Sequence, residues 1–224
     1  MDGGGLIVLE GAEGVGKTTQ LRRLMTRMQR SEIPVLQLRE PGGTPAGDEI
    51  RRFLLDPRMD IVPRAEALLF MASRAQLVDA VIRPAIAQGQ FVLLDRFFLS
   101  TYAYQIVGRG LSESEIPAVN EFATGGLTPD LTLLLDLPLG VGMARATARG
   151  DHDRIERSGE AFHARVTLAF REFAHSTWQA RHPEAGPVVQ ISGEGSESEV
   201  TERIWRRLAE RWPETFPLAS ESYS

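Results

Sequence analysis

The chain contains no cysteine, which excludes disulfide cross-links, thiolate nucleophiles and cysteine-held zinc or iron–sulfur centres. It is almost as poor in lysine: of 25 basic residues one is lysine, Lys17, and the rest are arginine. Acidic residues outnumber basic ones, 30 to 25, for a net charge of −5. That balance argues against a general nucleic-acid binder, which needs a basic footprint. No apolar run approaches the roughly 18 residues of a membrane helix. The opening MDGGGLIVLEG also lacks the basic-then-apolar layout of a secretion signal, so no membrane partner is expected and the cytoplasm is the expected location. What is present is ordinary globular material, 42% hydrophobic and 25% charged over 224 residues. A chain of this length buries about 70–75% of its unfolded surface without help from cross-links or a structural metal.

Five short apolar runs read as strands: Leu6 to Glu10, Val35 to Leu38, Phe91 to Asp95, Leu131 to Asp136 and Val188 to Ile191. None alternates cleanly, as expected of strands covered on both faces, and helical patterns separate them. Leu21, Leu24, Met25 and Met28 recur at helical spacing. Arg64 to Ala87 reads as a helix, nearly apolar through Ala65 to Ala72, that is deeply buried or forms an interface. Further helices fit Ser112 to Thr124, Gly140 to Ala148, Ala161 to Ala180 and Glu197 to Glu210. This is the α/β class with a parallel sheet. No linker divides residues 1–212, so a single domain is expected, followed by a frayed tail at 213–224.

The strongest motif is GAEGVGKT, from Gly11 to Thr18, which fits GxxxxGK[ST]. It follows the first strand directly and opens the first helix. Glycines let successive backbone N–H groups turn inward around an anion, and the helix N-terminus adds partial positive charge. The segment Gly11, Ala12, Glu13, Gly14, Val15, Gly16, Lys17 and Thr18 is thus a candidate ATP cradle. Lys17 would reach the β- and γ-phosphates and the Thr18 hydroxyl would ligate Mg²⁺. The solitary lysine falls where a compact point charge suits better than a planar fork.

Asp95 ends the third strand, where a carboxylate either holds the metal through water or caps the next helix. Arg96 follows it, a cation suited to grip a second phosphate where a hydrolytic motor would place an acid. A guanine-reading Asn-Lys-x-Asp element is impossible in a chain whose lysine is spent in the cradle. Transfer between two polyphosphate-bearing molecules needs several cations. Arg39, Arg74 and Arg96 lie beside strand ends or on the apolar helix, and Arg145, Arg149, Arg154 and Arg157 share one short segment.

These motifs resemble one family. EGAEGVGKTTQ from Glu10, REPGGT from Arg39, FMASRAQ from Phe70, LDRFFLSTYAYQ from Leu94, PDLTLLLDL from Pro129 and ARGDHDRIE from Ala148 are similar to thymidylate kinase, from about Leu6 to Arg165. The resemblance implies a P-loop kinase fold with a five-stranded parallel sheet, a mobile lid at about 145–158, Mg²⁺, a homodimer packed through helices, and transfer from ATP to dTMP. It further implies that Phe70 stacks on thymine and Arg74 bonds its carbonyl edge, although Phe70 is equally at home in a core. Arg39 and Arg96 would hold the dTMP phosphate. Ser100, Tyr104 and Gln105 would line sugar and base, with Tyr104 crowding a ribose 2′-hydroxyl, and Glu13 would orient the acceptor side. Some members carry a catalytic arginine within the cradle, but here that position is Gly14 and the lid is basic. Arg149 and Arg154 are then the candidates to close over ATP. Leu139, Gly140 and Phe97 depart from the family's usual residues away from the chemistry. The Glu40–Pro41 bond is a candidate for the cis form, which about 5% of X–Pro bonds adopt. Asp151 to Asp153 reads as a solvated lid loop rather than a metal site.

Overall fold

The computed structural model describes residues 3–138, 140–147 and 153–218. Its centre is a five-stranded sheet in the order β2-β3-β1-β4-β5, with every neighbouring pair parallel. The strands are β1 (Leu6–Glu10), β2 (Val35–Arg39), β3 (Phe91–Asp95), β4 (Leu131–Asp136) and β5 (Val188–Ser192). They fall on the five apolar runs, with β2 and β5 each extended slightly at the carboxyl end. The missing alternation has the anticipated cause: β1 is buried at every position and β4 at all but its last.

The chain leaves β1 for β2, returns to β3 between them, and then crosses β1 to reach β4 and β5. Such a reversal opens a crevice at the carboxyl ends of the strands. Glu10 and Asp95 arrive there on β1 and β3, paired in the sheet with β4 and β2.

Helix α1 (Lys17–Arg30) buries Leu21, Leu24 and Met28 and leaves Met25 half-buried. Helix α2 (Pro45–Leu55) has no counterpart in the sequence reading, although its start is marked: Thr44 Oγ1 accepts from Gly47 N at 3.0 Å, and Pro45 occupies the first turn. The Arg64 to Ala87 stretch is α3 (Pro63–Leu77) and α4 (Arg83–Ala87), joined by a π-helical turn, Val78–Ile82. It is not buried all round, since Leu68 is 58% exposed. A second unanticipated helical segment follows β3: α5 (Phe98–Thr101) runs into a π-helical stretch, Tyr102–Gly108.

Helix α6 (Ile116–Thr124) starts later than Ser112, and α7 (Val141–Thr147) matches the Gly140 to Ala148 expectation as far as the described residues go. The single helix expected from Ala161 to Ala180 is broken into α8 (Glu160–Phe173) and α9 (Ser176–Gln179). Extended backbone at His175 turns the Trp178 ring to 4.4 Å from Phe173 and 4.1 Å from His182, so aromatic packing overrides helical propensity. Helix α10 (Glu197–Arg211) opens on a capping box between Ser196 and Glu199.

The expectation of fraying from residue 213 fails through Pro217. Phe216 is fully buried among Phe91, Trp205 and Trp212, and Trp205 Nε1 donates to Pro217 O at 3.1 Å. Residues 219–224 lie outside the described residues. The Glu40–Pro41 bond is cis.

Candidate active site

Three glycines shape the loop between β1 and α1: Gly11, Gly14 and Gly16 have φ of 136°, 74° and 100°. At Gly14 the constraint is doubled, because a Cβ there would lie 2.0 Å from the Gly142 carbonyl oxygen of α7. Val15 anchors the loop in the core, Ala12 is nearly buried beside it, and no side chain caps the N-terminus of α1. Its first N–H groups are therefore left for an anion. Lys17 folds back over the loop, donating to the Gly11 and Ala12 carbonyls at 2.8 Å each. Burial, reinforced by the Arg96 charge, lowers the Lys17 pKa to about 7 against the opposing pull of Asp95, Glu10 and Glu13.

Beyond β3, Arg96 adopts φ 69°, a left-handed conformation that costs a non-glycine residue about 1–3 kcal/mol. Its backbone N–H donates to Leu9 O, and its Nη1 reaches Gly11 O at 3.3 Å and Ser100 Oγ at 3.1 Å. The guanidinium lies 5.1 Å from the Tyr104 ring centroid. Burial favours its neutral form, but Tyr104, Asp95, Glu10 and Glu13 outweigh that and hold its pKa above the usual arginine range. Glu10, unassigned by the sequence reading, organises this corner. Its carboxylate accepts from Phe97 N at 2.7 Å, Ser100 N at 3.0 Å and Ser100 Oγ at 2.7 Å.

A cavity of about 540 Å³ runs from this corner. Gly16, Lys17, Thr18 and Asp95 line it together with Phe70, Arg74, Thr101, Tyr104 and Gln105, and Arg96 and Ser100 line it as well. Tyr104 and Gln105 reach it from the π-helical stretch, and the Tyr104 hydroxyl donates to Glu13 Oε1 at 3.3 Å. His163 Nδ1 lies 3.9 Å from the same oxygen. Asp95 Oδ1 is buried with no hydrogen-bond partner among the described residues. A buried, unsatisfied carboxylate oxygen fits a hard cation, and Asp95 and Thr18 line the same cavity.

Three expected ligands stand differently from the sequence reading. Arg39 is exposed and does not line the cavity, whereas Arg51 of α2 does, its Nη1 held by Pro41 O at 3.0 Å. The Thr44 cap with Pro45 was the available signal for this helix. Arg74 lines the cavity, but all five of its N–H groups are used within the protein. They go to Glu40 Oε2 twice, at 2.8 and 2.6 Å, to Thr101 Oγ1, to Asn120 Oδ1 and to Phe97 O. Its direct bond to a base carbonyl therefore has no free donor here. Burial raises the Glu40 pKa against the pull of Arg74.

Arg154 does not reach over the cradle. Its Nη2 donates to the buried Glu66 carboxylate, Oε2, at 2.6 Å and its Nε to Leu54 O at 2.7 Å. Arg145 lines the cavity, Arg157 lies in the turn Glu156–Ser158, and Arg149 lies outside the described residues. Of the Asp151 to Asp153 run only Asp153 is described, and its Oδ1 accepts from Ile155 N and Glu156 N, capping that turn. No group of metal-binding side chains is found among the described residues, and no helix there is long and apolar enough to cross a membrane.

A family model for thymidylate kinase matches residues 9–184. Among proteins named thymidylate kinase, one from Deinococcus radiodurans is 44% identical over 211 residues, covering 94% of this chain and 99% of its own. One from Synechococcus sp. is 48% identical over 209 residues, covering 92% and 95%. One from Pseudomonas fluorescens is 52% identical over 165 residues, covering 73% and 79%.

Proposed function

We propose, from the premise that this chain belongs to the thymidylate kinase family, that it transfers the γ-phosphoryl group of ATP to dTMP, giving dTDP and ADP. The observation that carries the reading is one cavity lined by the phosphate cradle, by the aromatic side chains Phe70 and Tyr104, and by Arg96.

The cradle amides and Lys17 hold the β- and γ-phosphates of ATP. Thr18 and Asp95 would hold Mg²⁺, which when bound neutralises phosphate charge. Arg96 and Arg51 grip the dTMP phosphate, a role Arg51 takes in place of the exposed Arg39. Arg96 is prepared for it by Glu10 and Ser100, so little reorganisation is needed when the transferring group gains charge. Phe70 faces the thymine, Gln105 its edge, and Ser100 and Tyr104 the sugar, where the Tyr104 ring disfavours a 2′-hydroxyl. Arg74 acts here by holding the slot's walls together. Glu13 orients Tyr104. Arg149 is the candidate to close over ATP, bringing positive charge as water leaves.

The enzyme works as a homodimer through the outward faces of α3 and α6, which pack together and expose Leu68 and Phe122. Its substrates belong to the nucleotide pool of the cytoplasm, where we expect it to act.

Release of ADP with a panel of nucleoside monophosphates tests the reading. Turnover of dTMP at least tenfold above that of CMP and AMP is expected, and equal rates would overturn it.

A further inference from the structure

Glu66 of α3 is 1% exposed, yet four donor contacts converge on it from distant parts of the chain. Arg109 meets it with two bonds at 3.1 Å, through Nε and Nη2. Gln105, on the wall of the acceptor slot, donates Nε2 to Oε1 at 3.1 Å. Arg154, 88 residues away, donates Nη2 to Oε2 at 2.6 Å. Burial pushes the Glu66 pKa up, but Arg109, Arg154 and Gln105 outweigh it and hold the carboxyl below its ordinary range.

Arg109 alone neutralises this carboxylate, so countercharge does not explain the second guanidinium. Arg154 adds an attachment. Its backbone N–H donates to Leu55 O at 3.1 Å and its Nε to Leu54 O at 2.7 Å. Those carbonyls belong to the last turn of α2, which has no intrahelical donors for them and whose dipole favours a cation. The root of the lid is thus fastened at three points, all on one residue, and the carboxylate at the third point also fixes the amide of Gln105.

We infer that Glu66 is a positioning residue that latches the lid root to the acceptor side of the cavity, with Arg154 as the releasable partner. The inference rests on the dTMP-kinase reading for the identity of the acceptor alone. Acceptor binding and lid docking then bias one another through a shared carboxylate, and Arg154 serves dTMP affinity rather than ATP chemistry.

Two measurements test this. In the nucleotide-free protein, hydrogen exchange at the Arg154 amide should speed at least about tenfold in Arg154→Met and in Glu66→Gln, and unchanged exchange overturns the latch whatever the substrate proves to be. In steady-state kinetics, Arg154→Met should raise the KM for dTMP about tenfold while the KM for ATP stays within about twofold, with partial rescue by Arg154→Lys. A raised KM for ATP or a collapsed kcat with the dTMP KM unchanged would make Arg154 a donor-side arginine and overturn the proposal. Should Glu66→Gln fail to fold, Arg154→Met leaves the Glu66–Arg109 pair intact and decides the matter alone. Wild-type protein that fails to phosphorylate dTMP would refute the activity, while the exchange experiment would still judge the latch.

Discussion

At the scale of single residues, Lys17 costs the folded state stability. Burial lowers its pKa to about 7, while the unfolded chain holds the proton to about 10.5. Between those values the unfolded state binds the proton that the folded state has released, so this residue makes stability rise with pH across that window. Replacing Lys17 by Met should abolish phosphoryl transfer yet raise stability at pH 7 and below by on the order of 2 kcal/mol or more, and flatten the pH dependence above it. Denaturant titrations at pH 6, 8 and 10 check both. Because there is one lysine, its ammonium signal in an isotope-labelled sample has one assignment. That signal should titrate near 7 in the free protein and higher in Arg96→Met, whose nearby positive charge is gone; an unmoved midpoint would refute the repulsion described between the two.

Among elements, the meeting of the phosphate loop with α7 sets what Gly14 can become. A Cβ at 2.0 Å from Gly142 O cannot be absorbed, because both sides of the contact are backbone. Gly14→Arg should therefore lose ATP binding by at least tenfold, as read by calorimetry, and should not supply a catalytic arginine from within the loop. The strands were legible in the sequence since residues buried on both faces leave uninterrupted apolar runs. Helix α2 is marked in the sequence by Thr44 and Pro45, but that Arg51 turns inward depends on the rotational phase of the helix, which those two residues do not give. The helical segment after β3 was hidden by aromatic and hydroxyl residues of weak helix propensity, held there by Glu10 bonding its first N–H groups. The Glu66 cluster joins residues from three separated segments and has no local pattern at all.

For the whole molecule, the chain from Trp212 to Pro217 closes the core, with Phe216 fully buried. Phe216→Ala should cost about 3–5 kcal/mol, visible as a lowered denaturation midpoint. The proposed homodimer rests on the outward faces of α3 and α6, where Leu68 and Phe122 are exposed. Leu68→Glu should convert a dimer to a monomer in sedimentation velocity without reducing the helical signal, and a monomeric wild type would exclude the dimer. The placement of the one lysine has a practical consequence. A protease that cuts only after lysine has a single scissile bond here, between Lys17 and Thr18, at the heart of the molecule where Lys17 is 7% exposed. Cleavage into two fragments would thus clock the opening of the entire fold, and any nucleotide that fills the loop would slow that clock in proportion to how tightly it is held.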